Sequence, residues 1–199
     1  PSNSSAASDV YKRQLTMRRI YFVRHSIRDD KIKDDYSAPL TIEGKQLAHD
    51  LVGYFVDKNI KAIYSSPYQR ALQTIEPTAT TLGIEINLNA ALRERQTNDQ
   101  IDWQNHLEKL WQNFYFKTAG EESLATVQQR MKTAFYQIID ESSGEIIITS
   151  HGTALSLLFH YLTSGYFNFI DWQKMEMPDV YIGLFDENNQ CISLTKEAY

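Results

Sequence analysis

Five side chains in this sequence have the chemistry and the spacing for one reaction. Arg24-His25 ends the apolar run Ile20-Tyr21-Phe22-Val23, and Ser150-His151 ends Ile146-Ile147-Ile148-Thr149. Arg70 follows a third run, Ala62-Ile63-Tyr64-Ser65, and Glu94 follows a fourth, from Ile84 to Leu88. A neutral histidine is a competent nucleophile, and a carboxyl group can protonate a leaving oxygen. A guanidinium fork matches phosphate geometry better than a point charge does. A helix starting at Gly152 would add backbone N–H donors for an oxyanion. Two histidines, two arginines and a glutamate together suit phosphoryl transfer through a phosphohistidine.

The elements that must position these groups alternate between strand and helix. The two runs that end on histidine are short and β-branched or aromatic, as expected of strands buried in a parallel sheet, and Ala62–Ser65 and Ile84–Leu88 read as two further short strands. Open α/β sheets bind ligands beyond the carboxyl ends of their strands, which is where all five groups fall. Between the runs, Thr41 is an N-cap and Leu47, Leu51 and Phe55 mark an amphipathic helix over 42–58. The spacing predicts further helices over 68–82, interrupted or kinked near Pro77, over 122–140, and over 152–162. Strands near 180–186 and 191–195 flank Asn188-Asn189 and form an antiparallel hairpin at the sheet edge. The expected fold is α/β: a three-layer α/β/α sandwich with a mostly parallel central sheet and an antiparallel edge.

Length and charge narrow the classes. A chain of 199 residues is one domain with room for a core. A net charge of −5 argues against a general nucleic-acid binder or a membrane-surface protein, and no apolar run reaches the length of a membrane span. Residues 1–16 are rich in Ser, Ala and Asn and have no amphipathic continuation, so they read as a non-native or disordered leader before a single domain, 17–199. They carry Asp9, Lys12 and Arg13, so the domain without them is one unit more acidic. The single cysteine, Cys191, excludes an internal disulfide and fits a cytoplasmic location.

In order along the chain, Arg24-His25, Leu40-Thr41-x-x-Gly44-x-x-x-Ala48, Tyr64-Ser65-Ser66-Pro67-x-x-Arg70-Ala71-x-x-Thr74, Leu92-x-Glu94, Glu122-Ser123 and Ser150-His151-Gly152 resemble the motifs of the histidine phosphatase superfamily, phosphoglycerate mutase-like branch. The resemblance runs from about 18 to 186 and is carried by the combination more than by any one piece. It implies that His25 is the nucleophile, that Arg24, Arg70 and His151 hold the phosphoryl oxygens, and that Glu94 is the general acid and then the base for water. It implies no metal and no other cofactor, because the cationic side chains supply the charge, and a small-molecule phosphoester as the substrate.

The departures from the family pattern also matter. Ser26 stands where the family usually has Gly, and Ile27-Arg28-Asp29-Asp30-Lys31 replaces its usual continuation. That loss, with the short stretch from Glu94 to His151, favours a phosphomonoester hydrolase over a phosphoglycerate mutase-type phosphotransferase. A catalytically weakened phosphoester-binding protein is the reading from another class, suggested by Ser26. Candidate substrate contacts are Ser26, Arg28, Gly152 and Trp111, although a solvated loop charge is the blander reading of Arg28 and of Lys31. Trp103, Leu107, Leu110, Trp111 and Phe114 have helical spacing, and 96–120 reads as a cap segment that shapes substrate choice. His49 and His160 read as packing or surface residues and His106 as a helix-surface one. The motifs of a nucleotide P-loop, a zinc hydrolase and a serine hydrolase are missing, and Cys191 lacks the arginine of a cysteine phosphatase loop.

Overall fold

The computed structural model describes residues 17–98 and 103–198, so the leader over 1–16 and part of the segment 96–120 lie outside the described residues. In chain order the elements are β1 (Arg18–Arg24), α1 (Ile42–Phe55), β2 (Ile60–Ser65), α2 (Gln69–Leu82), β3 (Ile86–Leu88), α3 (Trp103–Gln112), α4 (Leu124–Glu141), β4 (Glu145–Ser150), α5 (Gly152–Leu162), α6 (Phe169–Gln173), β5 (Asp179–Phe185) and β6 (Cys191–Lys196). The six strands make one sheet in the order β3-β2-β4-β1-β5-β6. β3, β2, β4 and β1 run parallel; β5 and β6 form the antiparallel edge.

The period-two pattern of the central strands sorts their side chains onto two faces. Tyr21, Val23, Ile63 and Ile147 face the layer of α1 and α2 and pack with Leu51, Phe55, Ile75 and Ala79. Ile20, Phe22, Ile146 and Ile148 face the opposite layer and pack with Leu110, Met131, Phe135, Leu155 and Phe159. Each such side chain, removed wholly from water, contributes about 1.5–3 kcal/mol against the entropy of ordering the chain. The expected three-layer α/β sandwich is the observed one.

Four details differ from the expectation. α2 runs as one helix through Pro77, since burial of Ala71, Thr74, Ile75, Thr78 and Ala79 outweighs the one backbone bond that proline removes. β3 starts at Ile86 rather than at 84, and α1 ends at Phe55 rather than at 58. The short α6 has too few residues to show a period; a capping box between Asn168 and Asp171 starts it.

Candidate active site

Sheet register brings the two strand-end histidines together. β1 and β4 are parallel neighbours with Arg24 opposite Ser150, and the amide of His25 extends the ladder by donating to the Ser150 carbonyl at 3.0 Å. The rings of His25 and His151 therefore lie with centroids 5.1 Å apart. β2 ends level with them, Ser65 opposite Thr149, and turns into α2, which carries Arg70.

Hydrogen bonds set the tautomer of His25. Its Nδ1 lies 2.7 Å from the Ser26 carbonyl oxygen, which can only accept, so Nδ1 carries the proton. Its Nε2 accepts from Nε of Arg70 at 3.2 Å and so holds the lone pair. Burial, then the charge of Arg70, hold the His25 imidazole well below the ordinary histidine range, so the ring is neutral at pH 7. His151 is wholly buried, with Nε2 2.7 Å from the Ser66 hydroxyl. Burial and the neighbouring His25 and Arg70 lower it in the same way. Its Nδ1 and the Nε of Arg24 are buried without a hydrogen-bond partner.

The arginines are held from several directions. Arg24 donates through Nη1 to the Met175 carbonyl at 2.7 Å. Its guanidinium lies over Gly152, where a Cβ would stand 3.0 Å from both Cζ and Nε. Arg70 is only 2% exposed and donates to the Asp35 carbonyl oxygen at 2.5 Å and to its carboxylate at 3.3 Å. Arg28 pairs with the same Asp35 at 2.5 Å and with Asp30 at 3.0 Å.

Glu94 reaches the site through the turn Ala90–Leu92. Its carboxylate accepts the amides of Arg95 at 2.8 Å, Thr153 at 3.1 Å and Ala154 at 3.0 Å. The N–H groups at the start of α5, expected to face an oxyanion directly, are thus engaged by Glu94, as a carboxylate at a helix N-terminus is favoured.

Arg24, His25, Arg28, Arg70 and Glu94 line one cavity of about 280 Å³, together with Ile27, Asp30, Asp35, Arg95, Thr97, Thr153 and Met177. His151, wholly buried and 5.1 Å from His25 between ring centroids, is not part of this lining. The other candidate contacts sit differently. Ser26 is buried, its amide donating to the Thr74 hydroxyl at 2.8 Å, and does not line the cavity. Gly152 makes room for Arg24. Trp111 packs against Phe114, Phe169 and His160 and stays away from the cavity, so its place is in the hydrophobic core layer. His106 is buried, not on the helix surface, 2.8 Å from the equally buried Glu121. His49 is exposed, and His160 pairs with the Phe167 carbonyl.

Sequence reasoning overlooked Asp35, Ser66 and Thr74. The last two stand inside the motif around Arg70 and were legible there; Asp35 sits in a charged loop whose pattern marks no residue. Among the described residues no group of three or more His, Cys, Asp or Glu side chains is placed to hold a metal ion.

Fold and site together define an α/β domain with a histidine- and arginine-built cavity at the carboxyl ends of its parallel strands. The family model of the histidine phosphatase superfamily (branch 1) matches residues 20–196, and the chain belongs to that family. Solved structures of similar fold include a mycobacterial glucosyl-3-phosphoglycerate phosphatase, with TM-score 0.75 and 15% identity over 92% of this chain and 98% of that one. YhfR of Bacillus stearothermophilus gives 0.72 and 24% over 90% and 96%. A phosphoserine phosphatase mutant of Entamoeba histolytica gives 0.70 and 16% over 88% and 95%. Among curated proteins, the transcription factor tau 55 kDa subunit of Saccharomyces cerevisiae is 28% identical over 92 residues, 40% of this chain and only 21% of the relative's length. No helix among the described residues is long and apolar enough to cross a membrane.

Proposed function

We propose that this protein is a phosphomonoester hydrolase that works through a phosphohistidine on His25, with the arginines supplying the cationic charge a metal would otherwise bring. The observation that carries this reading is the state of His25: a neutral ring in the cavity wall, with Nδ1–H tied to a carbonyl and the lone pair on Nε2. That lone pair is the one that attacks phosphorus once Arg70 turns from it to the phosphoryl group.

In the first step Nε2 forms the N–P bond as the P–O bond to the alcohol breaks, and Glu94, protonated, gives its proton to the leaving oxygen. In the second step Glu94 takes a proton from water, the new P–O bond forms, and the N–P bond breaks to release phosphate. The unpartnered Nε of Arg24 and Nδ1 of His151 supply unsatisfied hydrogen-bonding atoms beside His25 for the phosphoryl oxygens, and Arg70 turns from His25 and Asp35 to the same group. Interactions that strengthen as charge builds on the transferring group form the largest part of such catalysis.

The test is hydrolysis of a generic aryl phosphate with and without a chelator, coupled to acid-labile labelling of the protein from radioactive substrate. Turnover that survives chelation, with label present in the wild type and lost in His25→Ala, is the expected result. Label that persists in His25→Ala overturns the nucleophile. Phosphate passed to a second substrate hydroxyl instead of water indicates a mutase, and phosphate bound without turnover indicates a binding protein.

A further inference from the structure

The segment that delivers Glu94 to the cavity has one short turn of regular structure, yet its backbone is held at every step by side chains. Nη1 of Arg130, on α4, donates to the carbonyls of Ala91 and Arg93, both at 2.8 Å. Nη2 donates to the carbonyl of Glu94 at 3.0 Å and to Glu122 at 3.1 Å, and Nε to Glu122 at 3.1 Å. All five N–H groups of one guanidinium are thereby used. The remaining carbonyl, that of Leu92, accepts from the Ser150 hydroxyl at 2.6 Å.

Glu122 locks the arrangement from the other side. Its carboxylate takes a two-pronged contact from Arg93, at 2.5 and 2.7 Å, and the amide of Gln96 at 3.0 Å. Its own amide donates to the Gln96 carbonyl at 3.1 Å. Arg130 is absent from the lining of the catalytic cavity, so it does not touch substrate; its charge is felt at His151, and the lysine variant keeps that charge while removing the fork that holds 91–94.

We propose that Arg130, locked by Glu122, is a positioning residue: it fixes the backbone of 91–94 so that the Glu94 carboxyl meets the leaving oxygen and then the attacking water. The inference rests on the phosphatase reading above. Lysine cannot replace Arg130, because an ammonium is a point charge with three donors and no planar fork. A displacement near 1 Å of a reacting group can cost on the order of 10²-fold in rate.

The experiment compares wild type, Arg130→Lys, Glu94→Gln and the double variant on aryl and alkyl phosphates of graded leaving-group acidity. For Arg130→Lys the expected loss is in kcat, on the order of 10- to 100-fold on alkyl phosphates and smaller on nitrophenyl phosphate, with little change in KM. In the Glu94→Gln background the same substitution should change kcat little, because the group it positions is already disabled. Equal losses on good and poor leaving groups, or full losses that repeat in the Glu94→Gln background, overturn the inference. Glu122→Gln is the second variant should Arg130→Lys not fold. It keeps the arginine and removes the charge that locks it, and it should show the same leaving-group dependence to a lesser degree; a uniform loss overturns the inference. Labelling on His25 from nitrophenyl phosphate separates the two readings. Its absence in wild type overturns the phosphatase reading and this inference with it, whereas label with no leaving-group dependence overturns only the role of Arg130.

Discussion

The guanidinium of Arg24 rests on position 152 because that position has no side chain. A Cβ there would stand 3.0 Å from Cζ and Nε of Arg24, closer than a planar group tolerates without moving. Gly152→Ala should therefore push Arg24 off its place and lower kcat/KM roughly 10-fold or more while unfolding midpoints change little; steady-state kinetics beside a denaturant curve checks both. Glu94→Gln cannot donate the proton a poor leaving group needs, so its losses should be larger on alkyl than on nitrophenyl phosphates. Equal losses across that series would count against the acid role. The identities of His25, Arg24, Arg70 and Glu94 could be read from strand-end positions in the chain. Their settings could not. The tautomer of His25 depends on a carbonyl and on an arginine 45 residues away, and the pairing of Asp35 with Arg70 and Arg28 depends on how a loop without pattern folds back.

At the scale of elements, α1 secures the loop that follows His25. Thr41 caps the helix by accepting the Gly44 amide at 2.9 Å, and the Thr41 amide donates to the Ile27 carbonyl at 2.9 Å. A Cβ on Gly44 would fall 2.3 Å from that same Ile27 oxygen. Backbone cannot yield cheaply, so Gly44→Ala should cost about 2 kcal/mol or more of stability and also disturb Arg28, measured by urea unfolding and by activity. The segment 96–120 illustrates a different limit of sequence reading. Its aromatic spacing announced a helix correctly, but a period cannot say whether an apolar stripe faces a core or a ligand. The structure turns Trp111 toward Phe114 and Phe169. Trp111→Ala should thus lower stability by about 2–4 kcal/mol and leave the ranking of a phosphoester panel unchanged; an altered ranking at unchanged stability would give Trp111 a part in substrate choice.

For the molecule as a whole, the site's electrostatics make stability depend on acid. His25 and His151 are held neutral, their folded values well below 6.5, chiefly by burial. The unfolded chain then binds more protons as pH falls below about 6.5, and stability declines from there downward. Burial pushes the Glu122 carboxyl up, but the bonds from Arg93, Arg130 and the Gln96 amide outweigh it and bring it to about 2. Its contribution is complete above the ordinary carboxylate value near 4.5 and is lost as pH falls toward 2. Denaturant midpoints should hold from pH 8 to 7, decline between pH 6.5 and 5, and decline again below 4.5. A flat profile from pH 7 to 5 would contradict the buried neutral histidines.

The chain alone determined the alternation of strand and helix, the two-faced strands, and the placing of two histidines, two arginines and a glutamate at strand ends, because these follow from local periodicity and from the rule that parallel strands present their carboxyl ends together. Only the tertiary structure decided which of these groups meet and in what state. β1 and β4 are neighbours although 126 residues separate Arg24 from Ser150, so the contact of His25 with His151 is a matter of strand order that no local pattern encodes. The same holds for Arg130, an unremarked residue in the middle of α4, whose guanidinium reaches the backbone of Glu94 only because the helix packs against that turn. Periodicity records which way a side chain faces; charge state and hydrogen bonding depend on what lies across the space it faces.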